Sequence, residues 1–105
     1  MIKTGADKRA VMPRITEYAK PFFKDWERLM ASGRYDMHKA KAVMWLLIAN
    51  DEPLPPEYKD HALSGDWQGY RECRIGGDFL LIYLLDPTGK IVVFARIGTH
   101  AELFK

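Results

Sequence analysis

The eight residues from Phe79 to Asp86 (FLLIYLLD) constrain the fold most tightly. They are apolar up to the last position and do not alternate with polar residues, the pattern of a central strand covered on both faces. Asp86-Pro87-Thr88-Gly89 follows, a turn in which proline sets φ and glycine tolerates positive φ. Ile91 to Ile97 (IVVFARI) is β-rich again, so the two runs predict an antiparallel hairpin. Tyr70 to Ile75 reads as a strand before it, joined through a Gly76-Gly77 turn, giving a three-strand meander.

The first half has a different period. After Pro13, Arg14 to Tyr18 shows weak strand character. From Pro21, a residue suited to a first helical turn, Phe22, Trp26, Leu29 and Met30 fall on one helical stripe with Phe23 beside it, and Gly33 ends the segment. A second helix starts with Asp36 as N-cap and buries Met37, Ala40, Val43, Met44, Leu47 and Ile48. Asn50, Pro53, Pro55 and Pro56 stop it. The short link makes the helices antiparallel neighbours. Phe22, Phe23, Trp26 and Trp45 are expected in the core, His38 on the surface, and Thr99 as the cap of a final turn through Phe104. Helices grouped before strands predict an α+β fold: two antiparallel helices on one face of a twisted, mainly antiparallel sheet of about four strands. One such domain spans 13–105; residues 1–12 read as a polar, aperiodic N-terminal extension.

Composition narrows the classes of function. The 105 residues are 48% hydrophobic and 29% charged, with a net charge of +2, as for one globular domain that tolerates a nucleic-acid partner without demanding it. Cys73 is the single cysteine, which excludes an intrachain disulfide, suits a reducing compartment and reads as a small core residue. Val43 to Ala49, the longest apolar run outside the meander, is too short to span a bilayer. No apolar stretch follows Lys3, Lys8 and Arg9 as a secretory signal requires. The expected location is cytoplasmic, with no membrane partner.

Polar and aromatic residues concentrate from Tyr58 to Arg74, a stretch that includes Asp60, His61, Trp67, Arg71 and Arg74. In an antiparallel meander the turn at Asp78 and the end of the last strand, with Arg96, Thr99 and His100, return to the same end of the sheet. Imidazoles, a carboxylate and guanidinium groups suit cleavage of an RNA phosphodiester. The substrate supplies its own 2′-OH as nucleophile, and the protein supplies a base, an acid and cations for the transition-state charge. Each residue also has a plainer reading: His61 as a solvated loop histidine, His100 as part of a capped turn. Trp67 is open to either reading. A metal site from His61, Asp78 and His100 is not expected, because no close-spaced ligand pair such as HxxxH or CxxC is present.

The stretches DHALSGDWQGYRECRIGGDFLLIYLLD and ARIGTHAELFK resemble the YafQ-like branch of the RelE/ParE toxin superfamily. Its signature runs D-H-x-L-x-G-x-W-x-G-Y-R, then D-W/F-x-L-I-Y, then R-x-G-T-H-x-x-L-F. The resemblance covers Arg14 to Lys105. It implies a RelE-like fold and the toxin of a type II toxin–antitoxin pair that cuts mRNA in the ribosomal A site, with no metal or other cofactor. The partners it implies are a cognate antitoxin, mRNA on the ribosome, and operator DNA reached through the antitoxin. Carried over by motif, the catalytic set is His61, Asp78 and His100, with Arg74 where the family often has a histidine. Arginine stays protonated near neutral pH, so the role of base falls to Asp78 or His61 and Arg74 moves to charge stabilisation. His100 is the expected acid. Arg71, Arg96, Phe79, Phe104 and Trp67 are expected to bind substrate or brace the site. Two rival functions share the fold: a ParE-like gyrase inhibitor without nuclease activity, and a weakened toxin that acts through its antitoxin complex.

Overall fold

The computed structural model of the chain describes residues 13–49 and 52–104. The expected extension at 1–12 and the helix stop at Asn50 lie outside the described residues. The elements are β1 (Ile15–Tyr18), α1 (Lys20–Ser32), α2 (Met37–Ala49), β2 (His61–Ala62), β3 (Arg71–Gly76), β4 (Phe79–Leu85), β5 (Ile91–Gly98) and α3 (His100–Leu103). Among the described residues the strands form one sheet in the order β1-β5-β4-β3-β2. β1 runs parallel to β5, and every other pair is antiparallel. The α+β architecture is the predicted one. The sheet has five strands rather than about four because His61–Ala62, read as loop, pairs with Arg71 and Glu72.

The helices begin and end where the chemistry predicts. Pro21 occupies the first turn of α1, and Gly33 closes it at φ 68°, a left-handed conformation that an L side chain resists. The Asp36 carboxylate accepts the Lys39 N–H at 2.9 Å, capping α2. In the β4–β5 turn, Asp86 accepts Gly89 N–H through its carbonyl and Ile91 N–H through its carboxylate.

Helices and sheet enclose one main core. Phe22, Leu29, Met37, Ala40, Val43, Met44 and Leu47 meet Cys73, Ile75, Phe79, Leu81, Tyr83, Val92, Phe94 and Ile97. Burial pushes the Cys73 thiol well above its ordinary pKa, so it stays protonated as a core residue. A bulge opposite Ile82 and Tyr83 leaves Ala95 as the extra residue of β5. Phe94 and Ile97 are three apart and would point to opposite faces of a regular strand; the bulge puts both in the helix-side core. The second face has its own apolar floor, Leu80, Ile82, Ala95 and Leu103.

Three residues expected in the core or on its stripe are instead exposed: Phe23, Met30 and Trp45. Each neighbours a position that faces the sheet, and about 100° of helical rotation separates adjacent residues. Phe23 rests against Tyr18 at the rim, while Trp26, half-buried, stacks on Phe22. His38 is exposed, as predicted. Among the described residues no helix is long and apolar enough to cross a membrane.

One carboxylate fastens α1 to the open edge of β5. β1 covers β5 only from Ile91 to Phe94, and the chain then turns away, Ala19 N–H reaching Phe94 O at 3.0 Å. Past that point Asp25, 2% exposed, takes the place of a strand. Its Oδ2 accepts Ile97 N–H at 3.1 Å and Arg96 Nε at 2.7 Å; its Oδ1 accepts Arg96 Nη2 and Arg28 Nη1, each at 3.1 Å. Burial alone would raise its pKa, but the hydrogen bonds from Arg96, Ile97 N–H and Arg28 outweigh it and hold the carboxyl below the ordinary aspartate value. The folded pKa is the lower one. The stabilisation is therefore complete above the unfolded value, about 3.9, and is lost as pH falls through the folded value. Asp25→Ala should cost about 3 kcal/mol in denaturant unfolding at pH 7, the low end for a broken buried pair because Arg96 is partly exposed. Asp25→Asn should be destabilised at pH 7 yet lose less further stability than the parent between pH 5 and pH 2.

Candidate active site

The face of the sheet away from α1 and α2 collects most of the chemistry-bearing residues. Strand pairing sets two rows across it: His61, Glu72, Ile82 and Arg96, then Arg74, Leu80 and Gly98. Gly98 leads directly into Thr99 and His100. The second row therefore runs from an exposed guanidinium, over a buried leucine, to the start of α3.

α3 is only four residues long and is held at its N-terminus from two directions. Thr99 and Glu102 form a capping box: Thr99 N–H donates to Glu102 Oε1 at 2.8 Å, and Glu102 N–H donates to Thr99 Oγ1 at 3.3 Å. Asp78, in the β3–β4 turn, adds a cap from outside, its Oδ1 accepting His100 N–H at 3.0 Å. Among the described residues the Asp78 carboxylate makes no other hydrogen bond, and both Asp78 and His100 are exposed. Gly98 lets the turn fold back this closely. A Cβ there would stand 2.7 Å from Glu102 Oε1 and 3.4 Å from Leu103 Cδ2. Arg28 Nε, 3.3 Å from Glu102 Oε2, ties the turn to α1.

Aromatic rings link α3 to the loop after β2. His100 lies 4.8 Å from Phe104, Phe104 lies 6.2 Å edge-on from Trp67, and Trp67 is T-shaped on Tyr70 at 5.2 Å between ring centroids. Trp67 and Phe104 are partly buried against the floor of Leu80, Ile82, Ala95 and Leu103.

At the other end of the face, His61 Nδ1 lies 2.8 Å from Lys59 O. A carbonyl only accepts, so Nδ1 carries the hydrogen, and Nε2 is the nitrogen left to exchange a proton. Nε2 lies 3.5 Å from Oε2 of Glu72, a carboxylate 8% exposed. The preceding residue is anchored through the sheet: Asp60 accepts the Tyr83 O–H at 2.6 Å and Arg71 Nε and Nη2 at 3.2 and 3.0 Å. Burial, reinforced by Asp60, pushes the Tyr83 phenol above its ordinary pKa and keeps it a donor.

The fold thus brings Asp78, His100, Phe104 and Trp67 together at one end of this face, with Arg74 in the strand row leading to them and His61 beside Glu72 at its other edge. Three expected site residues are placed elsewhere. Phe79 is buried in the helix-side core against Tyr35, ring centroids 5.0 Å apart. Arg71 faces the helix side, its guanidinium taken by Asp60. The Arg96 fork is taken by Asp25, which raises its pKa further. Each of these three side chains is committed to a protein partner. Glu72 was not singled out from the sequence. A glutamate within a strand reads as a solvent-facing residue, and its burial appears only once His61 is paired across from it. Among the described residues no group of three or more His, Cys, Asp or Glu side chains could hold a metal ion.

The model of the family described as "Bacterial toxin of type II toxin-antitoxin system, YafQ" matches residues 14–105. The chain belongs to the YafQ family. It is 46% identical over 94 residues to the mRNA interferase toxin YafQ of Escherichia coli K12, a match that covers 90% of this chain and 99% of that one. The crystal structure of YafQ from E. coli BL21(DE3) matches at 44% identity with a TM-score of 0.79, over 88% of this chain and 99% of that one. YafQ in the E. coli DinJ–YafQ toxin–antitoxin complex matches at 45% identity and 0.78, over 90% and 100%. A structure described as a metal-bound toxin from Helicobacter pylori matches at 36% identity and 0.76, over 87% and 99%. The YafQ fold is therefore shared from β1 to α3.

The two-sided capping of α3 makes a local prediction. Thr99→Ala should cost about 1 kcal/mol, the usual loss for an N-cap threonine. Amide exchange at Glu102 and Leu103 should speed up more than exchange in β4. Protection at Glu102 and Leu103 equal to that of the parent would show that the capping box does not hold the turn.

Proposed function

We propose that the chain is the toxin of a toxin–antitoxin pair and a ribosome-dependent mRNA endoribonuclease working by metal-independent acid–base catalysis. The observation that carries the reading is the junction at α3: the Asp78 carboxylate holds the backbone of His100 at 3.0 Å and leaves its second oxygen and the imidazole exposed on the face that carries Arg74. The name of the 46% identical relative, an mRNA interferase toxin, supports the same activity. The DinJ–YafQ complex supports an antitoxin partner, as does the apolar cleft of about 270 Å³ lined by Tyr18, Phe22, Phe23, Trp26, Lys41 and Met44, with Phe23 exposed. Operator DNA would be reached through that antitoxin, and the setting is the cytoplasm.

The substrate 2′-oxygen attacks the adjacent phosphorus as its proton passes to a base. The P–O5′ bond breaks, His100 protonates the departing 5′-oxygen, and the products are a 2′,3′-cyclic phosphate and a 5′-hydroxyl. The Asp78 carboxylate oxygen without a hydrogen bond and His61 Nε2 are the two groups able to take the 2′-OH proton. Arg74 neutralises the charge gathering on the phosphate oxygens. Trp67 and Phe104 offer ring surface beside His100 on which a base can rest.

His100→Ala should abolish mRNA cleavage on translating ribosomes and relieve growth arrest, with the unfolding midpoint unchanged. Cleavage near the parental rate would remove His100 as the acid. Asp78→Asn keeps an acceptor for His100 N–H and should slow cleavage by about 10²–10⁴-fold without unfolding α3, the usual range for loss of a proton-transfer group. EDTA should leave the parental rate unchanged; loss of activity restored by added metal would overturn the metal-independent reading. No cleavage by the parent on programmed ribosomes would leave a toxin that acts only through binding, with Arg74 marking the lost catalysis.

A further inference from the structure

Lys20, Lys24 and Arg28 stand at i, i+4 and i+8 on α1 and so share one stripe, about 6 Å of helix rise per step. All three are exposed. With Pro21, Asp25 and Arg96 they line a cleft of about 440 Å³. Among the described residues the side chains of Lys20 and Lys24 make no ion pair and no hydrogen bond. Asp25, the carboxylate in the lining, is buried and already bound by Arg96, Arg28 and Ile97 N–H, so it offers the lysines no counter-charge. Like charges four residues apart disfavour a helix, and the fold supplies no compensating contact for this pair.

The stripe ends at the candidate active site. Arg28 bridges Asp25 and Glu102, and Glu102 lies in the turn that begins with His100. The lining contains no aromatic ring and no amide side chain with which to read a base.

We propose that this cleft binds the phosphodiester backbone of an RNA strand and extends the site at His100 along α1. The inference rests on the nuclease reading for what lies at the His100 end. Its chemistry is that of phosphate neutralisation: lysines as point charges, contacts independent of sequence, and affinity that falls as salt rises.

The test measures binding of a labelled 2′-O-methyl RNA oligonucleotide, which offers phosphates but no 2′-OH to cleave, to the full chain by fluorescence anisotropy. Lys20→Ala/Lys24→Ala places the best helix former at two exposed helix positions, so the variant should fold, which far-UV circular dichroism checks. It should bind at least about tenfold more weakly at low salt, and its log K against log salt slope should be shallower by about 1.4, two single-strand phosphate contacts. Parental affinity and slope in the variant would overturn the proposal, as would a polyglutamate peptide displacing the RNA more strongly than unlabelled RNA of equal charge. A parent that binds through these lysines but cuts nothing would defeat the nuclease reading and leave the cleft standing, whereas a cutting parent with an unaffected double variant would do the reverse.

Discussion

The Asp25 carboxylate is the contact on which the rest of the molecule depends. Its oxygens meet three kinds of donor, the Arg96 fork and the Ile97 backbone from β5 and Arg28 from α1. The Ile97 contact supplies the hydrogen-bond partner that β1 is too short to provide. The Arg96 contact holds a strand side chain at the sheet edge. The Arg28 contact continues through Glu102 into the capping box of α3. The arrangement of His100 thus follows from a charge balance set on α1, and a four-residue helix, too short to persist on its own, becomes part of the fold.

The two faces of the sheet divide the work. The helix-side face takes the large apolar side chains and has Arg71, ion-paired with Asp60, at its border, while Arg96 starts from the other face and reaches Asp25 at the open edge of β5. The other face is apolar only at its floor, and its rim holds His61, Glu72, Arg74, Asp78 and His100. The strand period of two produces this separation along β3, where Cys73 and Ile75 enter the core while Glu72 and Arg74 point away. The bulge at Ala95 keeps β5 consistent with it. A stable core and an exposed set of polar groups therefore occupy one thin sheet without either displacing the other.

How far the sequence reveals this depends on the range of each contact. The meander, the capping residues Asp36 and Thr99, the Gly33 stop and the helix-side core were legible because each depends on local period or on one backbone conformation. The approach of Asp78 to His100 followed from the topology of an antiparallel hairpin. The fates of Arg71, Arg96 and Phe79 were not legible. Two are decided by Asp60 and Asp25, carboxylates 11 and 71 residues away, and a motif records a residue type without recording which partner claims it. Phe79 follows the acid of the turn in the motif, but the strand period carries its ring to the far side of the sheet. The exposed Phe23 and Trp45 failed for a different reason: helical apolarity was wider than the sheet available to cover it.

Arg74 changes how protons would be handled on the proposed site. A guanidinium is a fixed cation across the working pH range, so the middle of the face contributes charge but cannot exchange a proton. In the proposed mechanism proton exchange is left to the two ends, Asp78 with His100 at one and His61 with Glu72 at the other. At the first end the carboxylate holds the histidine backbone, and the ring rests against Phe104 without a hydrogen bond among the described residues. At the second, Lys59 O fixes the ring through Nδ1, and the carboxylate stands beside the exchanging nitrogen. A ring without a hydrogen bond can follow a departing oxygen, which suits an acid. A ring fixed through Nδ1 presents Nε2 in one direction, toward Glu72. The residue types alone make His61 and His100 look equivalent; their partners make them different.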